Sequence, residues 1–221
     1  MNKSKIKIYA ILILVFSTGL FLAYGAGTFN PNKWTVKSIA ENIKYEMRTE
    51  WKSLGLKEPS IEYNNNNEFV RSVNRCIQWV NFNLDPEKRI PREIILSMAV
   101  LETGYGKSRF ALEGNNLFGI RTWSKDVPQL KAKGNPDAVW GVKAYPTKCA
   151  SVKDMINIIN RHPAYEGFRI AREEQFFNNS INLELLVDEL HKWSTNPEYV
   201  TLVKSKIKRV NDILDDTTRD L

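Results

Sequence analysis

IPREIILSMAVLETGYGKSRFALEGNNLFGI, Ile90 to Ile120, is the stretch on which the reading of this chain turns. Pro91 suits the first turn of a helix, where its missing N–H costs nothing. Ile94, Ile95, Met98, Ala99 and Leu101 follow at helical spacing and predict a helix with an apolar face. Glu102 closes the pattern, and the geometry of a helix places its carboxylate beside that apolar stripe rather than opposite it. A charge there is costly. It either pairs with a cation, Arg109 or Arg92, or sits at a cleft with a raised pKa, able to give up a proton near neutral pH. Gly104 and Gly106 favour the cleft, because they let backbone and a bulky ligand approach closely. Ser108 is placed to cap a short helix, and Gly114 to end it in a left-handed turn before the NNLFGI loop.

Downstream, Pro128, Gly134 and Pro136 punctuate short extended pieces such as AVWGVKAY, Ala138 to Tyr145, which predict a small β-hairpin lobe between Ile120 and Thr147. Ser151 with Asp154 three residues on reads as a capping box for a helix over Val152 to Arg161, stopped by His162-Pro163. A further helix is predicted from Leu183 to Trp193. Pro197 opens the last one, whose Val200, Val203, Ile207, Val210 and Leu214 keep the stripe. Upstream, Phe69, Val73, Ile77, Val80 and Leu84 mark a helix, and the asparagines from Asn64 to Asn67 break the chain before it. Trp34 to Leu54 reads as an amphipathic stalk.

The N-terminus carries Lys3, Lys5 and Lys7 ahead of the uncharged run IYAILILVFSTGLFLAYGAG, Ile8 to Gly27. As helix those residues span about 30 Å, close to the hydrocarbon thickness of a bilayer. The basic flank reads as cytoplasmic, so the rest of the chain is expected outside. The run is either an uncleaved anchor or a signal peptide cut near Gly25, Ala26 and Gly27. The division expected is thus 1–27 membrane segment, 28–65 stalk and linker, and 66–221 compact domain. The 221 residues, 43% hydrophobic with six Trp, eight Tyr and ten Phe, exclude disorder. The net charge of +7 suits an anionic partner, and export points to a wall polymer or a membrane rather than nucleic acid. Cys76 and Cys149 allow one disulfide in an oxidising compartment, yet both sit among apolar residues, and buried free thiols are the expectation.

Several chemistries fail on spacing. GKS at Gly106 to Ser108 lacks the first glycine of a phosphate loop and follows a helix. No serine lies in GxSxG, neither cysteine has a nearby histidine, and no ligand spacing for a metal is present. No cofactor is called for. Trp123, Trp140, Tyr145, Tyr165, Trp193 and Tyr199 gather around the lobe and at helix ends; each alone reads as core, but with Glu102 and the NNLFG loop they outline a carbohydrate cleft.

The stretch Ile90 to Ile120 closely resembles the core motif of the Bax-like and flagellar-type β-N-acetylglucosaminidases, the mannosyl-glycoprotein endo-β-N-acetylglucosaminidase-like domain of the glycoside hydrolase family 73 type. The similarity continues through VKAYPTKCASVKDMINIINRHPAYEGFR and WSTNPEY, and covers roughly Asn66 to Leu214, with the Bax-like branch the nearer. The resemblance implies a mainly α, lysozyme-like α+β fold with a small β-hairpin lobe, here preceded by the membrane segment. It implies hydrolysis of the β-1,4 bond after N-acetylglucosamine in peptidoglycan glycan strands, at the cell envelope or outside it. Glu102 matches the general acid; Asn115, Asn116, Leu117, Phe118 and Gly119 match the cleft-lining segment; Tyr145 and Tyr165 match its tyrosine positions. Trp193 stands where a tyrosine often precedes Ser-Thr. Glycoside cleavage also needs something to stabilise the oxocarbenium-like centre. Asp137 is the first choice on the lobe and Asp126 the second, with the substrate's own acetamido group as the third. A lytic transglycosylase and a non-catalytic wall-binding protein are the competing readings.

Overall fold

The computed structural model describes residues 3–27, 32–55 and 57–219. It divides into two units, Met1–Lys57 and Glu58–Leu221. In the first, α1 (Lys3–Gly25) and α2 (Lys33–Ser53) are joined at Asn32. The Asn32 Oδ1 accepts from the backbone N–H groups of Trp34 and Thr35 at 3.1 and 2.9 Å, while its Nδ2 donates to the Tyr24 carbonyl. The 21 residues of α1 from Lys5 to Gly25, with a mean hydropathy of 2.2 over an 18-residue window, are long and apolar enough to cross a membrane. Helix α2 keeps Trp34, Val36, Ile39 and Ile43 exposed, the stripe expected of an amphipathic helix.

The second unit is built around α4 (Arg92–Thr103), which is enclosed by α3 (Asn66–Phe82), α8 (Leu183–Asp188) and α9 (Tyr199–Arg219). Every residue from Ile94 to Val100 is buried. The one-sided stripe expected for α4 is therefore corrected to burial all round, and the cause is visible in the sequence: Ser97 is the sole polar residue between Glu93 and Glu102. Asn65 caps α3, its side chain accepting from the Glu68 N–H at 2.9 Å, and Glu68 returns the favour to the Asn64 N–H at 2.7 Å.

Gly104 ends α4 in the left-handed region, φ 57°, with its N–H on the Val100 carbonyl. Ser108 caps α5 (Arg109–Glu113) as expected, but Gly114 has φ −109° and the left-handed residue is Asn115, φ 52°. Helix α6 (Lys148–Arg161) starts four residues earlier than expected, with Thr147 rather than Ser151 as its cap. Ser151 is diverted: buried in the first turn, it accepts from the Leu117 N–H, and Asp154 takes Lys143 and Tyr145 instead. Helix α7 (Glu166–Phe177) carries no clear apolar period, since it buries Phe168 and Arg172 while Ile170, Phe176 and Phe177 stay exposed. The helix expected over Leu183 to Trp193 is split into α8 and a 3-10 turn at His191–Trp193.

The lobe is a three-stranded antiparallel sheet of order β1-β3-β2, formed by β1 (Arg121–Thr122), β2 (Gln129–Leu130) and β3 (Gly141–Lys143). Arg121 pairs with Val142 and Leu130 also pairs with Val142, so the expected hairpin gains one strand. The cysteines correct a second expectation. Cys76 of α3 and Cys149 of α6 form a disulfide across 73 residues of sequence. Both are buried where α3 packs on α6, which brings their Cα atoms to 5.8 Å, within bridging range.

Candidate active site

The last turn of α4 lifts Glu102 out of the core and into a cleft of about 370 Å³. Phe118, Gly119 and Arg121 approach it from the loop before the lobe and from β1, and Trp123 stands just beyond. Tyr165 comes from the turn ahead of α7, and Trp193, Ser194 and Thr195 come from the turn ahead of α9. Tyr165 and Trp193 lie with ring centroids 5.8 Å apart. Trp123 is 65% exposed, a flat ring at the mouth. Aromatic faces around an acid are a surface on which sugar rings can stack.

Burial raises the Glu102 pKa above the ordinary carboxylate value. Two neighbours oppose that shift, the Tyr199 hydroxyl first and the positive charge of Arg121 second. Tyr199, 4% exposed at the start of α9, has its hydroxyl facing Glu102 outside good hydrogen-bond geometry, and nothing else among the described residues bonds it. Burial and the Glu102 charge together hold its phenol neutral, far above its ordinary value. The Tyr165 phenol is pushed up to about 12 by burial. A half-buried carboxyl with a raised pKa is suited to deliver a proton.

Neither cation offered by the sequence pairs with Glu102. Arg109 bonds Glu113 at 3.0 Å and Arg92 bonds Glu93 at 3.1 Å, so the cleft alternative is the one the fold adopts. Gly106 does not open the cleft to a ligand. A Cβ on Gly106, φ 76°, would meet the Tyr63 hydroxyl and the Phe69 ring, both part of the packing beneath the loop rather than a ligand path. The glycine that faces the acid is Gly119, φ 64°, where a Cβ would stand 3.5 Å from Glu102 Oε2.

Of the residues singled out beforehand, Glu102, Phe118, Gly119, Trp123, Tyr165 and Trp193 converge on the cleft. Asn115, Asn116 and Tyr145 lie outside its lining and build its wall. Asn116, 0% exposed, spends its Nδ2 on the carbonyls of Ile120 and Lys143 at 3.0 and 2.9 Å. Its Oδ1 accepts from the N–H groups of Phe118 and Ile120, so one side chain folds the loop and pins it to the lobe. Asn115 donates to the Tyr145 carbonyl and accepts from Lys148, and the Tyr145 hydroxyl donates to Asp154 at 2.7 Å. Asp137 lies exposed on the β2–β3 connection and Asp126 on the β1–β2 connection, both outside the lining. Among the described residues lining the cleft, Glu102 is the sole carboxylate.

Arg121, Ser194 and Thr195 were not anticipated as site residues. The Ser194-Thr195-Asn196-Pro197 turn was the available signal, since a capped break before a helix often leaves polar groups facing a ligand. Arg121 gave none beyond its place next to the NNLFGI loop.

Residues 83–212 match the family Glucosaminidase, described as mannosyl-glycoprotein endo-beta-N-acetylglucosaminidase. The chain is 29% identical over 122 residues to Protein bax of Escherichia coli (strain K12), covering 55% of this chain and 42% of that protein. It therefore spans less than half the length of this curated relative. The glycoside hydrolase domain of Salmonella typhimurium FlgJ has a similar fold, with a TM-score of 0.51 and 16% identity over 71% of this chain and 95% of that one. The catalytic domain of the autolysin Auto of Listeria monocytogenes aligns with a TM-score of 0.49 and 15% identity, over 75% of this chain and 94% of that one.

Proposed function

The chain belongs to the glucosaminidase family, and on that premise we propose that it is an exported peptidoglycan hydrolase that cleaves the β-1,4 bond after N-acetylglucosamine, with Glu102 as general acid. The observation that carries this reading is the half-buried carboxyl, its pKa raised by burial, in an open cleft rimmed by aromatic rings. The Glu102 carboxyl gives its proton to the glycosidic oxygen as the bond to the anomeric carbon breaks. Water then adds across the break, its hydroxyl to the anomeric carbon and its proton back to a carboxylate. The Tyr199 hydroxyl favours the charged form that Glu102 takes after donation, which eases the transfer.

The second partner is assigned to Asp137, carried on a lobe small enough to bend over bound glycan. Asp137→Asn tests this: the rate falls with the fold intact, whereas an unchanged rate shifts the role to the substrate's acetamido group. Export is supported by the basic flank and apolar run of α1 and by the Cys76–Cys149 disulfide, which belongs to oxidising compartments. With α1 retained, the domain is tethered at the cell envelope; with it cleaved, the domain is secreted.

The test of the activity is mass spectrometry of soluble fragments released from purified peptidoglycan by the full chain in detergent. Fragments ending in reducing N-acetylglucosamine support the reading. Anhydro-muramyl ends identify a transglycosylase instead, a chemistry that also works with a single cleft carboxylate, and no fragments at all point to a wall-binding protein.

A further inference from the structure

We propose that Arg121 is an anion-reading residue of the cleft, holding the carboxylate-bearing substituent of the muramic sugar, its lactyl ether and stem peptide, while the ring of Trp140 keeps the guanidinium flat against the lobe. This rests on the function proposed above and names a subsite within it. Arg121 makes no side-chain hydrogen bond and no ion pair among the described residues, and it is the one cation among those lining the cleft. Its guanidinium sits 4.1 Å from the centroid of the Trp140 ring. Stacking of this kind fixes the plane while leaving the N–H fork free to take a carboxylate. The backbone is fixed as well: Arg121 pairs with Val142, two residues from Trp140, and its neighbour Thr122 turns inward as strand alternation requires. Lys131 secures the backbone at Trp140, its Nζ donating to the Trp140 carbonyl at 2.9 Å and to the Ala138 carbonyl at 2.7 Å. Lys143 is likewise spent on Asp154.

An unused cation beside a proton donor works against the donor, because it favours the carboxylate. A substrate carboxylate on Arg121 cancels that influence. Binding of an acid-bearing glycan therefore leaves Glu102 more readily protonated, and the cleft is better prepared for a muramyl strand than for a neutral chitin-like one.

The experiment measures binding by the full chain carrying E102Q, so that substrate survives, to purified peptidoglycan and to the same polymer with its carboxyls converted to methylamides. Amidation is expected to weaken binding roughly tenfold, the size of one charge-assisted contact. Arg121→Gln added to E102Q should lose the same amount on native polymer and almost nothing more on the amidated one. Arg121→Lys, which keeps charge without the planar stack, should recover part of the loss. Equal weakening by Arg121→Gln on both polymers, or no weakening on either, overturns the proposal. Failure of the activity itself shows separately, as the absence of fragments from the chain with Glu102 intact.

Discussion

Glu102 rises from a helix buried on every side, whereas Arg121 stands on, and Trp123 just beyond, a sheet whose longest strand has three residues. The helical side holds its acid through packing: α3, α8 and α9 close around α4, and the disulfide staples α3 to α6. The lobe side is held by two asparagines, one cation–π stack and a handful of strand hydrogen bonds. The difference separates two tasks. A proton donor must be held in a fixed, desolvated place before substrate arrives, and the core supplies that. A groove for a polymer must admit and release its strand, and a thin lobe can give way.

Substitutions can break or sharpen that contrast. The largest effect is expected at the acid, where Glu102→Gln should cut fragment release by about 10²–10⁴-fold while leaving the melting curve cooperative. On the helical side, replacing Cys76 and Cys149 together by alanine should cost about 4 kcal/mol, read from urea unfolding, because a closed loop of 73 residues is freed in the unfolded chain. Gly106→Ala should cost about 2–4 kcal/mol, since it combines a left-handed backbone with a clash against Tyr63 and Phe69. Trp123→Ala, on the lobe side, should change stability by no more than about 0.5 kcal/mol yet weaken glycan binding severalfold by isothermal calorimetry. An unfolding penalty at Trp123 as large as at Gly106 would erase the distinction between the two walls.

The smallest effect concerns pH. Because the folded state raises the Glu102 pKa, the stability linked to that group is full below its unfolded value of about 4.3 and is lost as pH rises through the folded value. Glu102→Gln should therefore melt slightly above wild type at pH 7, with the gap closing in acid. A gap that widens in acid would mean that the carboxylate, not the acid, is the form the cleft stabilises.

Much of the helical side was legible in the sequence. The spacing that set Glu102 against Ile94, Ile95 and Met98, the cap at Ser108, and the stripe of α9 are local signals, and local signals survive in one dimension. What escaped depended on distant partners. Thr147 could displace Ser151 as the cap of α6 only because Ser151 was needed by Leu117. The disulfide required α3 to pack on α6, which no spacing announces. The family resemblance places Asn115 and Asn116 on the cleft lining, whereas the carbonyls of Tyr145 and Lys143 that occupy them lie on the lobe, far along the chain. Tyr199 looked like core and is core, yet its hydroxyl ends beside the acid from the far end of the chain.

The most direct test of the central claim is the pH dependence of fragment release by the full chain, with Glu102→Gln run in parallel. The wild-type rate is expected to fall as pH rises through a value above the ordinary carboxylate range, and the variant to stay at background at every pH. A variant that retains the wild-type profile, or a wild-type rate that climbs with pH across that same range, would contradict that claim.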